Sequence, residues 1–195
     1  MPNLLAHTSC LGIAMSERDA YTQDHANRVE VLSHQLGIKC GLSSHELKLL
    51  SCAAKLHDVG KIGIPDQILF KPGKFETHEW EVMKTHSELG QRICESIAHE
   101  QAGKVALIVR HHHENFDGCG YPDRLSGENI PICSRIIAVV DSYDAMRTTR
   151  PYHVAHTYQQ TMEALENDNG KKIDPTVYKY FRSIISSVEA MGSRG

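Results

Sequence analysis

Histidine and aspartate recur along this chain in a pattern that can build a metal cage: His25, the pair His57-Asp58, His86, the pair His112-His113, and Asp141. Thirteen of the 195 residues are histidine, and imidazole is both the commonest metal ligand and the proton carrier of near-neutral pH. One donor group falls on each successive predicted helix or at its end. A helix bundle that turns such groups inward creates a metal site in its core. All the donors are nitrogen or oxygen, so a structural zinc site is disfavoured and an open site for Mn, Fe or catalytic Zn is favoured. Seven ligands exceed the four of a tetrahedral ion. Two divalent ions sharing a carboxylate is the economical count, with Asp58 as the natural bridge.

Taken singly, each group has an ordinary reading. A lone His25 or His86 is more often a hydrogen-bonded or surface histidine than a ligand. An adjacent His-Asp pair at a helix end serves capping and dipole compensation, and the run His111 to His113 reads as an exposed polar helix end. His7, His34, His45, His78, His99, His153 and His156 are read as ordinary histidines. The conjunction of the others carries the metal reading.

The elements that must position these groups are helical. Apolar residues recur at helical spacing almost throughout, and the stop signals are helix caps, so the predicted fold is all-α. One helix is expected from about Thr22 to Leu36, before Gly37. A second opens with the capping box Ser43 and Glu46 and ends near His57, with Gly60 just beyond. Thr77 is the expected N-cap of a segment through Trp80 and Met83, followed by a helix around Ile93. Lys104 to His113 and Pro131 to Met146 read as two further helices. Thr157 to Asn169 closes at Gly170, and Asp174 and Pro175 start the last helix in the N-cap and N1 positions. Gly60 to Lys74 and Asp117 to Gly127 read as loops, where rigid scaffolds usually carry binding residues.

Composition bounds the rest. A length of 195 residues fits one domain. Its expected bounds are 1–195, with 1–17 as an N-terminal helical extension, 18–182 as catalytic core, and 183–195 as the end of the last helix and a tail. Twenty-one basic against 24 acidic side chains give a net charge of −3, which excludes a dominant footprint for large nucleic acids or anionic membranes. No clean apolar run is longer than Ile136 to Val140, too short for membrane insertion. No signal-peptide pattern stands at the N-terminus, and the six cysteines never form CxxC. They are read as reduced, mostly buried thiols of a cytoplasmic protein.

The string Leu56-His57-Asp58-Val59-Gly60-Lys61-Ile62-Gly63-Ile64-Pro65-Asp66, then Lys71-Pro72-Gly73, then His112-His113-Glu114-Asn115-Phe116-Asp117-Gly118-Cys119-Gly120-Tyr121-Pro122 closely resembles the HD-GYP family, metal-dependent phosphodiesterases of the HD superfamily. The resemblance runs from Arg18-Asp19 through Arg150-Pro151-Tyr152 to Asp174-Pro175. It implies a helical domain around a two- or three-metal centre of Fe or Mn, with Zn and Ni as alternatives, acting on cyclic di-GMP. By position, His25, His57, Asp58, His86, His112, His113 and Asp141 match the family's metal ligands. Lys61 matches the basic residue beside the scissile phosphate. Tyr121 and Arg150 match positions that hold the dinucleotide, with Gly120 and Pro122 shaping the loop.

The chemistry agrees with this assignment. A phosphodiester is anionic and resists hydroxide, so two cations must neutralise it while lowering the pKa of a shared water. Lys61 would add positive charge where negative charge grows, Arg150 would grip the other phosphate, and Tyr121 offers a stacking face. Gly118 and Gly120 would let backbone approach a ligand. Three departures from the family stand out. Arg124 occupies a position that is usually glycine, His153 replaces a second basic residue after Tyr152, and Tyr21 stands where a glutamate allows a third ion. The reading is therefore hydrolysis of cyclic di-GMP to linear pGpG, and onward to GMP, by a hydroxide shared between two ions. The competing readings are the same chemistry on cyclic GMP-AMP, a non-catalytic cyclic di-GMP receptor, and a dimetal redox protein. A sensory or receiver partner or a homodimer is left open.

Overall fold

The computed structural model describes residues 4–18, 20–149 and 154–192, the side chains of 5, 6, 20–23 and 187–192 excepted. Helices α1 (Leu4–Arg18), α2 (Ala20–Lys39) and α3 (Ser44–Leu56) pack together. The cap that starts α3 is the one its sequence announces: the Glu46 amide donates to Ser43 Oγ and the Glu46 carboxylate accepts from the Ser43 amide. A 3-10 turn, Val59–Gly63, and a one-turn helix α4 (Asp66–Leu69) follow, inside the stretch expected to be loop. Arg18 at the end of α1 ties this stretch down by donating to the carbonyls of Ile62 and Ile64 at 2.7 and 2.6 Å.

Next come α5 (Thr77–Lys84), α6 (His86–Glu95) and α7 (Ala102–Arg110). Glu76, and not Thr77, is the N-cap of α5, because a capping box with Glu79 places Thr77 at the first helical position. Helix α7 stops at Arg110, three residues short of the expected His113, and residues 111–113 form a turn. After the loop come α8 (Ile132–Arg147), α9 (Tyr158–Asp168) and α10 (Pro175–Gly192). Thr157 caps α9 through Gln160, and Asp174 Oδ1 accepts from the amides of Thr176 and Val177 at the start of α10.

The described residues hold no strand. Val29 and Leu36 of α2, Leu50 and Leu56 of α3, Val105 and Val109 of α7, Ile136, Ile137 and Val140 of α8, and Phe181 of α10 are essentially inaccessible. Each large aliphatic side chain buried in this way contributes about 1.5–3 kcal/mol. The core thus fixes α2 and α8, which carry His25 and Asp141, and α3 and α7, whose C-terminal ends lead into the turns that carry His57, Asp58, His112 and His113. No described helix is long and apolar enough to cross a membrane. All six cysteines are free, and three of them, Cys52, Cys94 and Cys133, are buried, whereas Cys10 and Cys119 are exposed against expectation.

Candidate metal centre

Three imidazoles owe their orientation to the turn that carries them. Nδ1 of His57, His86 and His112 each donates to the carbonyl three residues back, Ala54, Met83 and Val109, at 2.7, 2.8 and 2.6 Å. A carbonyl only accepts, so the proton sits on Nδ1 and the Nε2 lone pair is left facing the centre. There His25 Nε2 approaches His57 Nε2 at 3.3 Å, and His86 Nε2 approaches His112 Nε2 at 3.4 Å. Nitrogens converging at this distance repel as bare lone pairs, and a proton or a metal ion between them relieves the repulsion. His113 joins His86 and His112 in one group able to hold an ion, and His25, His57 and Asp58 form another.

Asp58 lies between the two groups. One of its carboxylate oxygens is 3.5 Å from His57 Nε2 and the other 3.6 Å from His86 Nε2. Asp141 Oδ1 is 3.1 Å from His25 Nε2 and 3.9 Å from His57 Nε2. The structure thus brings all seven predicted ligands into one cluster. Their electrostatics suit a divalent cation. Burial alone would discharge His25, but hydrogen bonds to Asp141 and Asp144 outweigh it and push its pKa up to about 10. Two carboxylates therefore demand positive charge between them, which a proton or a metal ion supplies. Burial opposes ionisation of Asp58 too, yet Lys61 and the surrounding imidazoles hold it well below the usual carboxylate range. Burial and neighbouring imidazoles depress His112, and burial with His86 pushes His113 down to about 3.

Several residues that position this cluster escaped the sequence reading. Asp144, one turn beyond Asp141 on α8, accepts from His25 Nδ1 at 2.7 Å and is forked by Arg28 at 2.7 and 2.9 Å. A carboxylate on the far nitrogen fixes the ring and raises its basicity as a ligand. Asp144→Ala is expected to weaken Mn binding about 10- to 100-fold while the fold persists, measured by metal titration with circular dichroism as control; unchanged affinity would show that α2 alone orients His25. His111, expected on an exposed helix end, is buried instead, with Nε2 2.9 Å from Asp123 Oδ2. That partner lies twelve residues on, across a loop, and periodicity does not reveal it.

Beside the cluster is a cavity of about 890 Å³. His112, His113 and Asp141 line it, as do Tyr121, Pro122 and Gly120 from the loop after α7. The Tyr121 ring is 4.9 Å from His113 and 6.1 Å from Trp80. Gly120 shapes the loop, as the resemblance implies: a Cβ there would meet Asn115 N at 2.2 Å and His113 O at 2.6 Å. The close approach it allows is of the chain to itself. Lys61 is not part of this wall; its Nζ lies 2.6 Å from Asp58 Oδ2. Arg150 and His153 lie outside the described residues, as does the side chain of Tyr21.

The sequence model of the HD domain family matches residues 3–177. The chain belongs to the HD domain family. Among curated proteins, it is 40% identical over 167 residues to the cyclic di-GMP phosphodiesterase response regulator RpfG of Xanthomonas campestris, covering 86% of this chain and 44% of that one. It is 38% identical to a 3'3'-cGAMP-specific phosphodiesterase of Vibrio cholerae, covering 85% of this chain and 32% of that one. The HD domain here thus spans under half the length of either relative. Its fold matches that of the HD domain of the Listeria monocytogenes phosphodiesterase PgpH, with a TM-score of 0.65 at 17% identity, covering 93% of this chain and 98% of that one.

Acid should destabilise the metal-free HD domain in a definable window. His86, His112 and His113 are all depressed in the fold, whereas an unfolded histidine titrates near about 6.5. Below that value the unfolded chain binds protons that the folded one refuses, so stability is present above about 6.5 and is lost as pH falls toward the folded values. His25 is shifted the other way and is protonated in both states below about 6.5, so it adds no slope there. Thermal midpoints of chelated protein are expected to fall steadily from pH 7 to pH 4. A flat profile would contradict neutral, buried imidazoles.

Proposed function

We propose that this HD domain is a cyclic dinucleotide phosphodiesterase that opens cyclic di-GMP to the linear dinucleotide and then to GMP. The observation that carries this reading is the convergence of imidazole Nε2 atoms and two carboxylates on a common centre beside a large cavity. His25, His57, Asp58, His86, His112, His113 and Asp141 would hold two divalent ions, Fe or Mn, in keeping with a nitrogen and oxygen donor set. When bound, such ions neutralise the phosphodiester and make water a nucleophile near neutral pH.

The protein's own groups would do the rest. Asp58, with one oxygen toward each histidine group, joins the two halves of the centre. Lys61 keeps Asp58 ionised and adds positive charge beside the phosphoryl oxygens as the P–O3' bond breaks. Tyr121 and Trp80 give the bases aromatic faces to stack on, and Pro122 and Gly120 set the loop that carries Tyr121. Arg150 would hold the second phosphate. Residues 18–182 are read as the catalytic core, acting in the cytoplasm. The 38% identity to a cGAMP-specific enzyme supports a second reading, with cyclic GMP-AMP as the preferred substrate. Chromatography of products from metal-loaded protein given cyclic di-GMP, cyclic GMP-AMP and cyclic di-AMP tests both: turnover of the first to linear dinucleotide is expected, and preference for the second would move the assignment to it.

Lys61→Ala and Arg150→Ala should separate in kinetics. A charge acting on the developing transition state lowers chiefly kcat, and one holding a remote phosphate raises chiefly KM. Identical patterns would refute separate roles.

A further inference from the structure

Arg124 is one of the cationic residues that line the cavity. Its backbone φ is +55°, in the left-handed region where a Cβ crowds the following carbonyl. Its neighbours impose that turn. The Asp123 carboxylate is forked by Arg110 at 2.7 and 2.6 Å and held by His111 Nε2 at 2.9 Å. The Asp123 amide donates to buried Glu114 at 2.7 Å, and the Leu125 amide also lies against this carboxylate. A little further on, the Gly127 amide donates to Phe116 O at 2.8 Å, closing the loop. Between pinned neighbours the chain turns left-handed at 124 and brings an arginine to the cavity wall. Strain of this kind, held by surrounding structure, marks positions with a task.

Charge indicates the task. Lys84 and Lys172 also line the cavity, but Lys84 Nζ is 2.8 Å from Glu81 and Lys172 Nζ 3.0 Å from Asp168. Arg124 is exposed, and its guanidinium has no ion pair or hydrogen bond among the described residues. We propose that Arg124 is a specificity-determining residue whose guanidinium forks the phosphodiester of the cyclic dinucleotide that is not being cleaved. The inference rests on the cyclic dinucleotide reading above. Such a substrate carries two phosphates, and when one lies at the histidine and aspartate cluster the other, assigned above to Arg150, still has two non-bridging oxygens and can take a second guanidinium. A guanidinium matches a phosphate with two parallel donors, and this one has no carboxylate to give up first.

The test compares Mn-loaded native protein with Arg124→Ala, Arg124→Lys and Arg124→Gly on cyclic di-GMP and on bis(p-nitrophenyl) phosphate, a diester with a single phosphate. Arg124→Ala should raise KM for cyclic di-GMP about tenfold with kcat within about twofold, and that rise should be at least about fivefold larger than on the small diester. Lysine should recover part of the affinity. Glycine takes the left-handed turn without strain, so Arg124→Gly should lose the same affinity with an unlowered thermal midpoint, which separates binding from folding. A KM within about twofold of native, or an equal rise on both substrates, overturns the inference and leaves the phosphodiesterase reading standing. Native protein that cleaves the small diester but no cyclic dinucleotide overturns both.

Discussion

Asp58→Ala is expected to abolish turnover, by at least roughly 10³-fold, and to lower bound metal at the same time. The carboxylate is buried, offers one oxygen to each histidine group, and carries Lys61 at 2.6 Å. Its loss would remove the carboxylate that the proposed centre shares between its halves and would leave Lys61 without its partner. Asp58→Asn separates the two effects, because it keeps size and one acceptor oxygen but loses charge: metal content should fall less than in the alanine variant and activity nearly as much. Metal analysis and initial rates on identically prepared proteins decide it. Near-native hydrolysis by Asp58→Ala with metals retained would end the assignment of Asp58 as a shared ligand.

The second large effect is structural and is expected at Gly60. A Cβ there would stand 1.8 Å from His86 O and 2.5 Å from Gly90 N, so the turn carrying Asp58 and the start of α6 carrying His86 touch backbone to backbone. Neither contact can move aside without shifting Asp58 or His86. Gly60→Ala should cost about 3–5 kcal/mol, above the usual overpacking cost because both contacts are with backbone, and should reduce metal content even where the protein stays folded. Gly103→Ala is the control, since a Cβ at that position in α7 would have nothing within 4 Å, and there alanine should be neutral or stabilising by up to about 1 kcal/mol. Urea midpoints of the two variants, read together, distinguish close approach from a general cost of replacing glycine. Equal midpoints would show that the turn relaxes freely.

Local signals in the sequence were legible where a single turn of helix satisfied them. Ser43 with Glu46, Thr157 with Gln160, and Asp174 before Pro175 each close hydrogen bonds within three residues, so their partners are visible in the chain order. The same holds for the ring orientation of His57, His86 and His112, which depends on carbonyls three residues back. Long-range partners were not legible. Arg28 and Asp144 are 116 residues apart, and His111 meets Asp123 only because the loop after α7 folds back. Helical periodicity carried the expected helix on to His113, whereas α7 ends at Arg110. The turn that follows places His112 Nδ1 against Val109 O and leaves His113 lining the cavity. That the space at Gly120 is taken by the chain itself, as well as opening on the cavity, was not legible either, since the atoms it makes room for come from the start of the same loop.

The most direct measurement is hydrolysis of cyclic di-GMP by anaerobically purified protein, with metal content and chromatographed products taken from the same sample. Close to two Fe or Mn ions per chain, linear dinucleotide followed by GMP, and loss of both products on chelation with recovery on adding Mn are the expected results. Two ions bound with no cyclic dinucleotide cleaved, or cleavage that survives complete chelation, would contradict a metal-dependent cyclic dinucleotide phosphodiesterase.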